Sequence, residues 1–189
     1  APVVRALRIH LEPLALELGA LLAPVRRQFG PHLARLVGQS LGRLRAESPL
    51  PAAPWSTGTR EALAELLLAG PPAILLLEAL DQQGIWERYI PEWRLVRSKP
   101  QRNAYHSFTV DRHLWETAVG SAGLAGRVTR PDLLVLAGLF HDIGKGGPDD
   151  HTDNGVALLA GIGPRMGLDA DDTAVLVALC RHHLLLADV

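Results

Sequence analysis

Cysteine is nearly absent from this chain of 189 residues, which contains only Cys180. A single cysteine cannot form an internal disulfide, and it cannot supply the several thiolates of a cysteine-based zinc site. Because Cys180 lies in an apolar helical pattern, we expect it to belong to the core rather than to act as a nucleophile. The scarcity of cysteine also favours a reducing, cytoplasmic location.

An excess of basic residues is lacking too, since 19 lysines and arginines face 20 acidic residues and the net charge is −1. Proteins that bind the nucleic-acid backbone carry a basic surface, so we expect no nucleic-acid partner. Charged side chains at Arg5, Arg8 and Glu12 interrupt the apolar N-terminal stretch. We therefore expect neither a signal peptide nor a membrane-spanning segment.

Leucine, alanine and valine dominate the apolar content, because hydrophobic residues make up 48% of the chain and aromatic residues only 5%. Apolar residues recur at intervals of three and four, and no segment is typical of a strand. We predict an all-α fold, a helical bundle preceded by a helical connector region, with a boundary near residues 94–104. The predicted helices cover residues 3–29 (in pieces), 31–46, 60–68, 73–81, about 107–122, 131–143, 152–166 and 170–183.

Polar residues indicate where two of the predicted helices begin. Ser56 or Thr57 is predicted to cap the helix at 60–68, and Asp169 is predicted to cap the last helix. Gly161, Gly163 and Pro164 are expected to shorten or kink the helix at 152–166.

A histidine and an aspartate, His141 and Asp142, stand side by side at the end of the apolar run 133–140. Imidazole and carboxylate together suit a divalent transition metal. Alone the pair is a weak signal, because many helices end in two solvated polar residues. However, six of the eight histidines follow residue 100, and five of them lie on or at the ends of predicted helices. We expect these five to converge with Asp142 on a cavity between helices: His113, His141, His151, His182 and His183.

This ligand set is larger than one ion with open positions can use, which favours a two-metal site bridged by Asp142. Neighbouring side chains on a helix diverge by ~100°, so only one of His182 and His183 needs to face the site. His151 has the alternative role of capping the helix that it opens.

Two further residues have a functional and an ordinary interpretation. Lys145, three residues after Asp142, is either a group that holds phosphate oxygens or a solvated loop lysine. His106, seven residues before His113, is either a substrate contact or a surface histidine.

The pattern of His113, His141-Asp142-Ile-Gly-Lys145 and the later histidines resembles the HD superfamily of metal-dependent phosphohydrolases. Within it, segments 100–113, 139–146 and 181–186 are similar to the family of bifunctional uridylyltransferase/uridylyl-removing enzymes of bacterial nitrogen control. Residues 77–93 are similar to the segment that precedes the HD domain in that family. The resemblance covers most of residues 58–189, and residues 1–57 match more loosely.

This resemblance implies two regions: residues 1–100 as the helical connector and residues 101–189 as the HD hydrolase domain. In that family a nucleotidyltransferase domain precedes the connector, and two ACT domains follow the HD domain. No transferase signature occurs in this chain. Superfamily members close the metal site with an aspartate from a later helix, and Asp188 is the only acidic residue after His183. We therefore expect the HD domain to be truncated at its C-terminal end and to lack one metal ligand.

The reaction implied by the resemblance is hydrolysis of the phosphodiester that joins UMP to a tyrosine of the PII signal protein. One or two divalent ions (Mn²⁺, Fe²⁺, Co²⁺, Zn²⁺ or Mg²⁺) are the implied cofactor. The implied roles are metal ligands for His113, His141, Asp142, His151, His182 and His183, catalysis for Lys145, His151 and Asp142, and substrate contacts for Arg102, His106 and Lys145.

Two alternatives stay open at this point. The first is an HD-type hydrolase that acts on a small nucleotide, such as a cyclic dinucleotide, a dNTP or guanosine tetraphosphate. The second is a non-catalytic helical scaffold that transmits signals between neighbouring domains.

Overall fold

A computed structural model describes residues 52–101, 108–148 and 150–185. Within these ranges the chain forms α-helices and 3₁₀ turns and no strand, so the predicted all-α fold is confirmed. The helices are α1 (Thr57–Leu68), α2 (Ile74–Gln82), α3 (Trp86–Tyr89), α4 (Val110–Ser121), α5 (Pro131–Phe140), α6 (His151–Arg165) and α7 (Ala170–Arg181). The 3₁₀ turns are Pro71–Ala73, Pro91–Leu95, Ala122–Arg127 and Ile143–Gly146. The predicted helices at 3–29 and 31–46, and the predictions for Arg102, His106 and Asp188, fall outside the described residues.

Polar side chains cap three of these helices. The Ser56 hydroxyl accepts a hydrogen bond from the backbone N–H of Thr59 at 3.2 Å, which confirms the predicted cap of α1. Asp169 does the same for α7, because its carboxylate accepts from the N–H of Asp172 at 2.8 Å. Each such cap satisfies an N–H that lacks a partner within the helix and stabilises the helix by about 1 kcal/mol.

The cap of α6 is Asp150 and not His151. The Asp150 carboxylate accepts from the backbone N–H groups of Thr152 and Asp153, at 2.9 and 3.1 Å. A carboxylate at this position also interacts favourably with the positive end of the helix dipole. The capping alternative for His151 is therefore wrong, and its imidazole is available for another role.

Helix α6 runs to Arg165 without ending at its glycines or at Pro164. Proline removes one backbone N–H, but Pro164 is the second-last residue of the helix, where only the final turn is affected. Gly163 has a packing role, since an added Cβ would lie 2.6 Å from the hydroxyl of Thr173 on α7. The predicted shortening of this helix is wrong because tertiary packing outweighs the local propensity.

Helices α4 and α5 form an antiparallel pair that is joined by the 3₁₀ turn Ala122–Arg127. A Cβ added at Gly138 would lie 3.0 Å from the Cα of Ala118, so the two backbones touch there. Further along the same pair, the imidazoles of His113 and His141 are 3.1 Å apart. Between these two contacts the residue numbers decrease along α4 and increase along α5, so the helices are antiparallel. This arrangement brings together two histidines that are far apart in the sequence.

Helices α6 and α7 form a second antiparallel pair. Gly163 contacts Thr173 near the connecting turn, and an added Cβ at Gly155 would lie 2.8 Å from the sulfur of Cys180. Beyond Cys180, the rings of His151 and His183 are 5.5 Å apart. This pair therefore also brings together two histidines that are far apart in the sequence, at the end of the pair opposite the connecting turn.

The turn Ile143–Gly146 connects the two pairs and is enclosed by backbone on both sides. A Cβ at Gly144 would overlap with the carbonyl oxygen of His151 and the amide of Gly155, both on α6. A Cβ at Gly146 would lie 2.5 Å from the carbonyl oxygen of Leu95. Only glycine allows so close an approach, and the approach fixes the turn against α6.

The remaining elements pack apolar side chains against α4 and α5. Three tryptophans, Trp86, Trp93 and Trp115, form a buried aromatic cluster in which Trp93 stacks on Trp115 with ring centroids 5.4 Å apart.

Among the described residues no single helix is long and apolar enough to cross a membrane. The pair Thr57–Leu68 and Pro71–Gln82, bent by 114°, meets that criterion of length and composition only when the two are joined.

Replacing Gly144 by alanine tests this packing. We expect Gly144→Ala to destabilise the fold by about 3 kcal/mol, because the overlap is with backbone atoms that no side-chain rotation relieves. The matched control is Gly161→Ala on α6, where an added Cβ meets nothing within 4 Å. That change should stabilise the helix by about 0.5–1 kcal/mol. Urea unfolding of both variants measures the difference, and equal stabilities would contradict the proposed contact.

Candidate metal centre

The carboxylate of Asp142 lies at the junction of the two helix pairs, with only 2% of the residue exposed. Its two oxygens face different histidines. Oδ2 is 3.3 Å from Nε2 of His141 and 3.6 Å from Nε2 of His113. Oδ1 is 3.3 Å from Nε2 of His183 and 3.9 Å from Nε2 of His151. One carboxylate therefore belongs to two groups of three potential ligands.

The first group consists of His113, His141 and Asp142. Nε2 of His113 and Nε2 of His141 lie 3.1 Å apart. Metal–nitrogen bonds of about 2.1 Å at right angles place two ligand atoms about 3 Å from each other. Nδ1 of His141 donates to the carbonyl oxygen of Gly138 at 2.8 Å. Because a carbonyl only accepts, Nδ1 carries the proton in the neutral ring, and the lone pair of Nε2 faces the group.

The second group consists of Asp142, His151 and His183. Nδ1 of His183 donates to the carbonyl oxygen of Cys180 at 2.6 Å, which directs the lone pair of its Nε2 towards Asp142. Three atoms of this group are buried and have no hydrogen-bond partner: Asp142 Oδ1, His151 Nε2 and His183 Nε2. Buried polar atoms without partners are rare in native proteins and call for an explanation. A cation held by these three atoms supplies one.

The donor set fits divalent metal ions. Each group offers two imidazole nitrogens and one carboxylate oxygen, all within 4.8 Å of one another. Nitrogen and oxygen ligands of this kind suit Mn²⁺, Fe²⁺, Co²⁺ and Zn²⁺, and three protein ligands leave positions open for water and substrate. The described residues thus contain two groups that could hold a metal, in agreement with the predicted divalent metal.

The carboxyl group of Asp142 is ionised at neutral pH. Burial by itself raises its pKa, but hydrogen bonds and positive charge from neighbouring side chains, including the ammonium of Lys145, outweigh burial and hold the pKa well below its usual range. An ionised carboxylate is the form that binds a metal.

Lys145 lies beside this carboxylate, with Nζ 2.6 Å from Oδ2 of Asp142. Nζ also donates to Oε1 of Gln101 at 3.0 Å. Lys145 is therefore not a solvated loop lysine. Gln101 was not singled out from the sequence, although it lies in the segment 100–113 that carries the family resemblance. An uncharged glutamine gives no chemical signal of its own, so only the contact with Lys145 identifies it.

The structure brings His183 to the centre and leaves His182 out. His182 is exposed and belongs to neither group of potential ligands. Its backbone N–H still bonds to Ala178 at the end of α7, so its side chain diverges from that of its neighbour. We correct the predicted ligand set accordingly. The predicted substrate contacts Arg102 and His106 lie outside the described residues.

Cys180 is neither a ligand nor a nucleophile. It is 1% exposed, and its sulfur lies 3.4 Å from the carbonyl oxygen of His141. Burial, aided by the negative charge of Asp142, raises the pKa of its thiol to about 11. The thiol is thus protonated at neutral pH and packs as a small apolar group, as the sequence indicated.

Comparison with known protein families agrees with this geometry. Residues 110–188 match the family model of the HD domain, so this part of the chain is an HD domain. The matched range holds the ligands of both groups. The resemblance to the HD superfamily that the sequence indicated is thus confirmed for residues 110–188.

Three similar proteins carry the same name. A bifunctional uridylyltransferase/uridylyl-removing enzyme of Streptomyces coelicolor is 47% identical over 189 residues, which are 100% of this chain and 22% of the relative. Its counterpart in Mycobacterium tuberculosis is 47% identical over 147 residues, or 78% of this chain and 18% of the relative. That of Corynebacterium glutamicum is 35% identical over 147 residues, or 78% and 21%. The chain thus spans about a fifth of the length of these relatives.

The protection of Cys180 can be measured directly, because it is the only cysteine. At pH 8 a thiol with a pKa of about 11 is ionised in about one molecule in a thousand. We expect iodoacetamide to modify the native protein at least 100-fold more slowly than the same protein unfolded in guanidinium. Comparable rates in the two states would contradict both the burial and the raised pKa.

Proposed function

We propose that this chain carries the hydrolase centre of a phosphodiesterase that removes UMP from a uridylylated tyrosine of the PII signal protein. The observation that supports it best is the buried carboxylate of Asp142, whose two oxygens each face a different pair of imidazoles. The relatives are named as uridylyl-removing enzymes, which favours this substrate over other phosphodiesters. The choice of PII follows from the family resemblance of the sequence.

In this proposal the two groups hold two divalent ions, with His113 and His141 on one ion and His151 and His183 on the other. Asp142, which belongs to both groups, would be a ligand of both ions. Divalent ions in such a centre lower the pKa of water and polarise the phosphoryl group. We propose Mn²⁺, Fe²⁺, Co²⁺, Zn²⁺ or Mg²⁺ as the metal. The nitrogen ligands favour the transition metals over Mg²⁺, which prefers oxygen.

Lys145 binds the non-bridging oxygens of the phosphate. Its ammonium already lies 2.6 Å from Oδ2 of Asp142, so it reaches any phosphoryl group bound at the first group of ligands. A fixed positive charge there stabilises the charge that develops on phosphorus oxygens in the transition state. The leaving group is a tyrosine phenolate with an unperturbed pKa near ~10, so it leaves more readily than an alkoxide. We assign His151 to metal binding, because its Nε2 lies 3.9 Å from Oδ1 of Asp142 within the second group of potential ligands.

We also propose how the chain is organised. Residues 1–100 form the connector, and residues 101–189 form the hydrolase domain. In the full-length protein these regions neighbour nucleotidyltransferase and ACT domains, in the cytoplasm.

Metal content tests the shared carboxylate. We expect the wild-type chain to bind about two Mn²⁺ ions, and His113→Ala and His183→Ala to bind about one each. Asp142→Asn should bind neither Mn²⁺ ion tightly. Loss of even an outer-shell partner lowers metal affinity by about 10–100-fold, and in the proposal Asp142 is a direct ligand of both ions. Equilibrium dialysis with elemental analysis gives the stoichiometry.

The matched control for His183→Ala is His182→Ala, its exposed neighbour. His182→Ala should bind as much metal as the wild type. Loss of an ion from His182→Ala, or full retention of both ions by Asp142→Asn, would contradict the assignment.

Substrate specificity tests the reaction itself. We expect the Mn²⁺-loaded chain to release UMP from uridylylated PII and to leave cyclic dinucleotides, dNTPs and guanosine tetraphosphate intact. Turnover of a free nucleotide alone would support the alternative HD-type hydrolase. A chain that binds no metal and releases no UMP would support the helical scaffold.

Lys145→Met should lower the rate of UMP release by about 100-fold at unchanged metal content. Lys99→Met is the control, since Lys99 is the only other lysine in the chain. It should retain the wild-type rate.

A further inference from the structure

Gln101 lies next to the candidate metal centre in a defined orientation. Its Oε1 accepts a hydrogen bond from Nζ of Lys145 at 3.0 Å, and the same ammonium is 2.6 Å from Oδ2 of Asp142. An ammonium group only donates hydrogen bonds, so the atom of the carboxamide that faces it must be the oxygen. This contact fixes which end of the amide is Oε1 and which is Nε2.

The other end of the carboxamide is a donor without a partner. Nε2 of Gln101 is buried and makes no hydrogen bond with any of the described residues. It differs from the three unpaired indole N–H groups, which lie in the aromatic core cluster of Trp86, Trp93 and Trp115. Gln101 instead contacts the ammonium of Lys145, which in turn contacts Asp142, in the part of the molecule that the proposed substrate must reach. A buried, unsatisfied donor in such a place fits an acceptor on a ligand.

We propose that Gln101 is a substrate-binding residue that donates an Nε2–H hydrogen bond to a non-bridging oxygen of the substrate phosphate, alongside Lys145. Phosphate oxygens accept hydrogen bonds. The two donors, Nζ of Lys145 and Nε2 of Gln101, belong to side chains that contact each other. The ammonium of Lys145 attracts any anion as a point charge. The planar amide of Gln101 adds a donor with a fixed direction, and hydrogen bonds to charged groups are the strong ones. This inference rests on the proposed function for its class of substrate and adds a residue that binds it.

Two substitutions separate the roles of the amide. Gln101→Met removes both the donor and the acceptor at similar side-chain length. Gln101→Glu keeps an oxygen for Lys145 and replaces the donor by a negatively charged acceptor. We expect the Mn²⁺-loaded variants to bind inorganic phosphate and UMP at least about tenfold more weakly than the wild type. Their Mn²⁺ stoichiometry and unfolding temperature should be unchanged. Gln82→Met, at an exposed glutamine of α2, is the control and should bind both ligands like the wild type.

Isothermal titration calorimetry of the full chain measures these affinities without turnover. If Gln101 acts only by holding Lys145, then Gln101→Met has no further effect in the Lys145→Met background. A direct contact with the ligand predicts additional weakening there. In ¹H–¹⁵N spectra, phosphate should shift one side-chain NH₂ pair that is absent from Gln101→Met.

Several results would overturn the inference. The first is a phosphate affinity of Gln101→Met within twofold of that of the wild type. The second is that Gln101→Met does not weaken phosphate binding further in the Lys145→Met background. The third is that the wild type binds neither phosphate nor UMP. Weaker binding of UMP and uridine at unchanged phosphate affinity would mean that Gln101 contacts uracil instead. A chain that binds phosphate through Gln101 but releases no UMP from PII would refute the proposed function alone. Release of UMP that is insensitive to Gln101→Met, together with unchanged phosphate binding, would refute the inference alone.

Discussion

A buried negative charge is the constraint on which this structure depends. Asp142 is 2% exposed, and an ionised carboxylate removed from water needs compensating positive charge or hydrogen-bond donors. Lys145 compensates one oxygen, whereas Oδ1 has no hydrogen-bond partner among the described residues. Four imidazoles surround the carboxylate, and at least His141 and His183 direct a lone pair towards it. Lone pairs facing a carboxylate repel it unless a cation lies between them. The same arrangement that is unfavourable without an ion is therefore one that could hold a metal in each of the two groups.

Two antiparallel helix pairs hold these groups in place, and glycines set the spacing within and between the pairs. Gly138 lets α5 touch α4, Gly155 lets α6 approach Cys180 on α7, and Gly144 lets the connecting turn touch α6. In each pair the ligands sit at the open end, so a small change in packing would move them apart. The positions of the ligands thus depend on close backbone contacts at glycines, which residues with a larger side chain cannot form. This explains why a substitution with no polar atom, such as Gly144→Ala, is expected to matter at a metal centre.

Much of this arrangement could be predicted from local sequence. The apolar periodicity predicted helices, Asp169 was recognised as a cap, and the histidines around Asp142 indicated a divalent metal. Three features could not be predicted. Pro164 does not shorten α6, because it lies in the final turn of the helix and the neighbouring Gly163 packs against Thr173 of α7. His183 rather than His182 faces the centre, since adjacent side chains have the same chemistry and differ only in direction. Gln101 has no metal-binding chemistry, and only its contact with Lys145 makes it visible.

The sequence by itself determined the helical fold class, the chemistry of the ligands and the resemblance to the HD family, because spacing and residue type are local properties. The tertiary structure alone decided which oxygen of Asp142 faces which histidine pair and which imidazole of the last helix joins the second group. It alone also decided which uncharged amide lies beside the lysine. Those outcomes depend on how the helix pairs cross, and crossing is governed by contacts between residues far apart in the chain, such as Gly138 with Ala118 and Gly155 with Cys180.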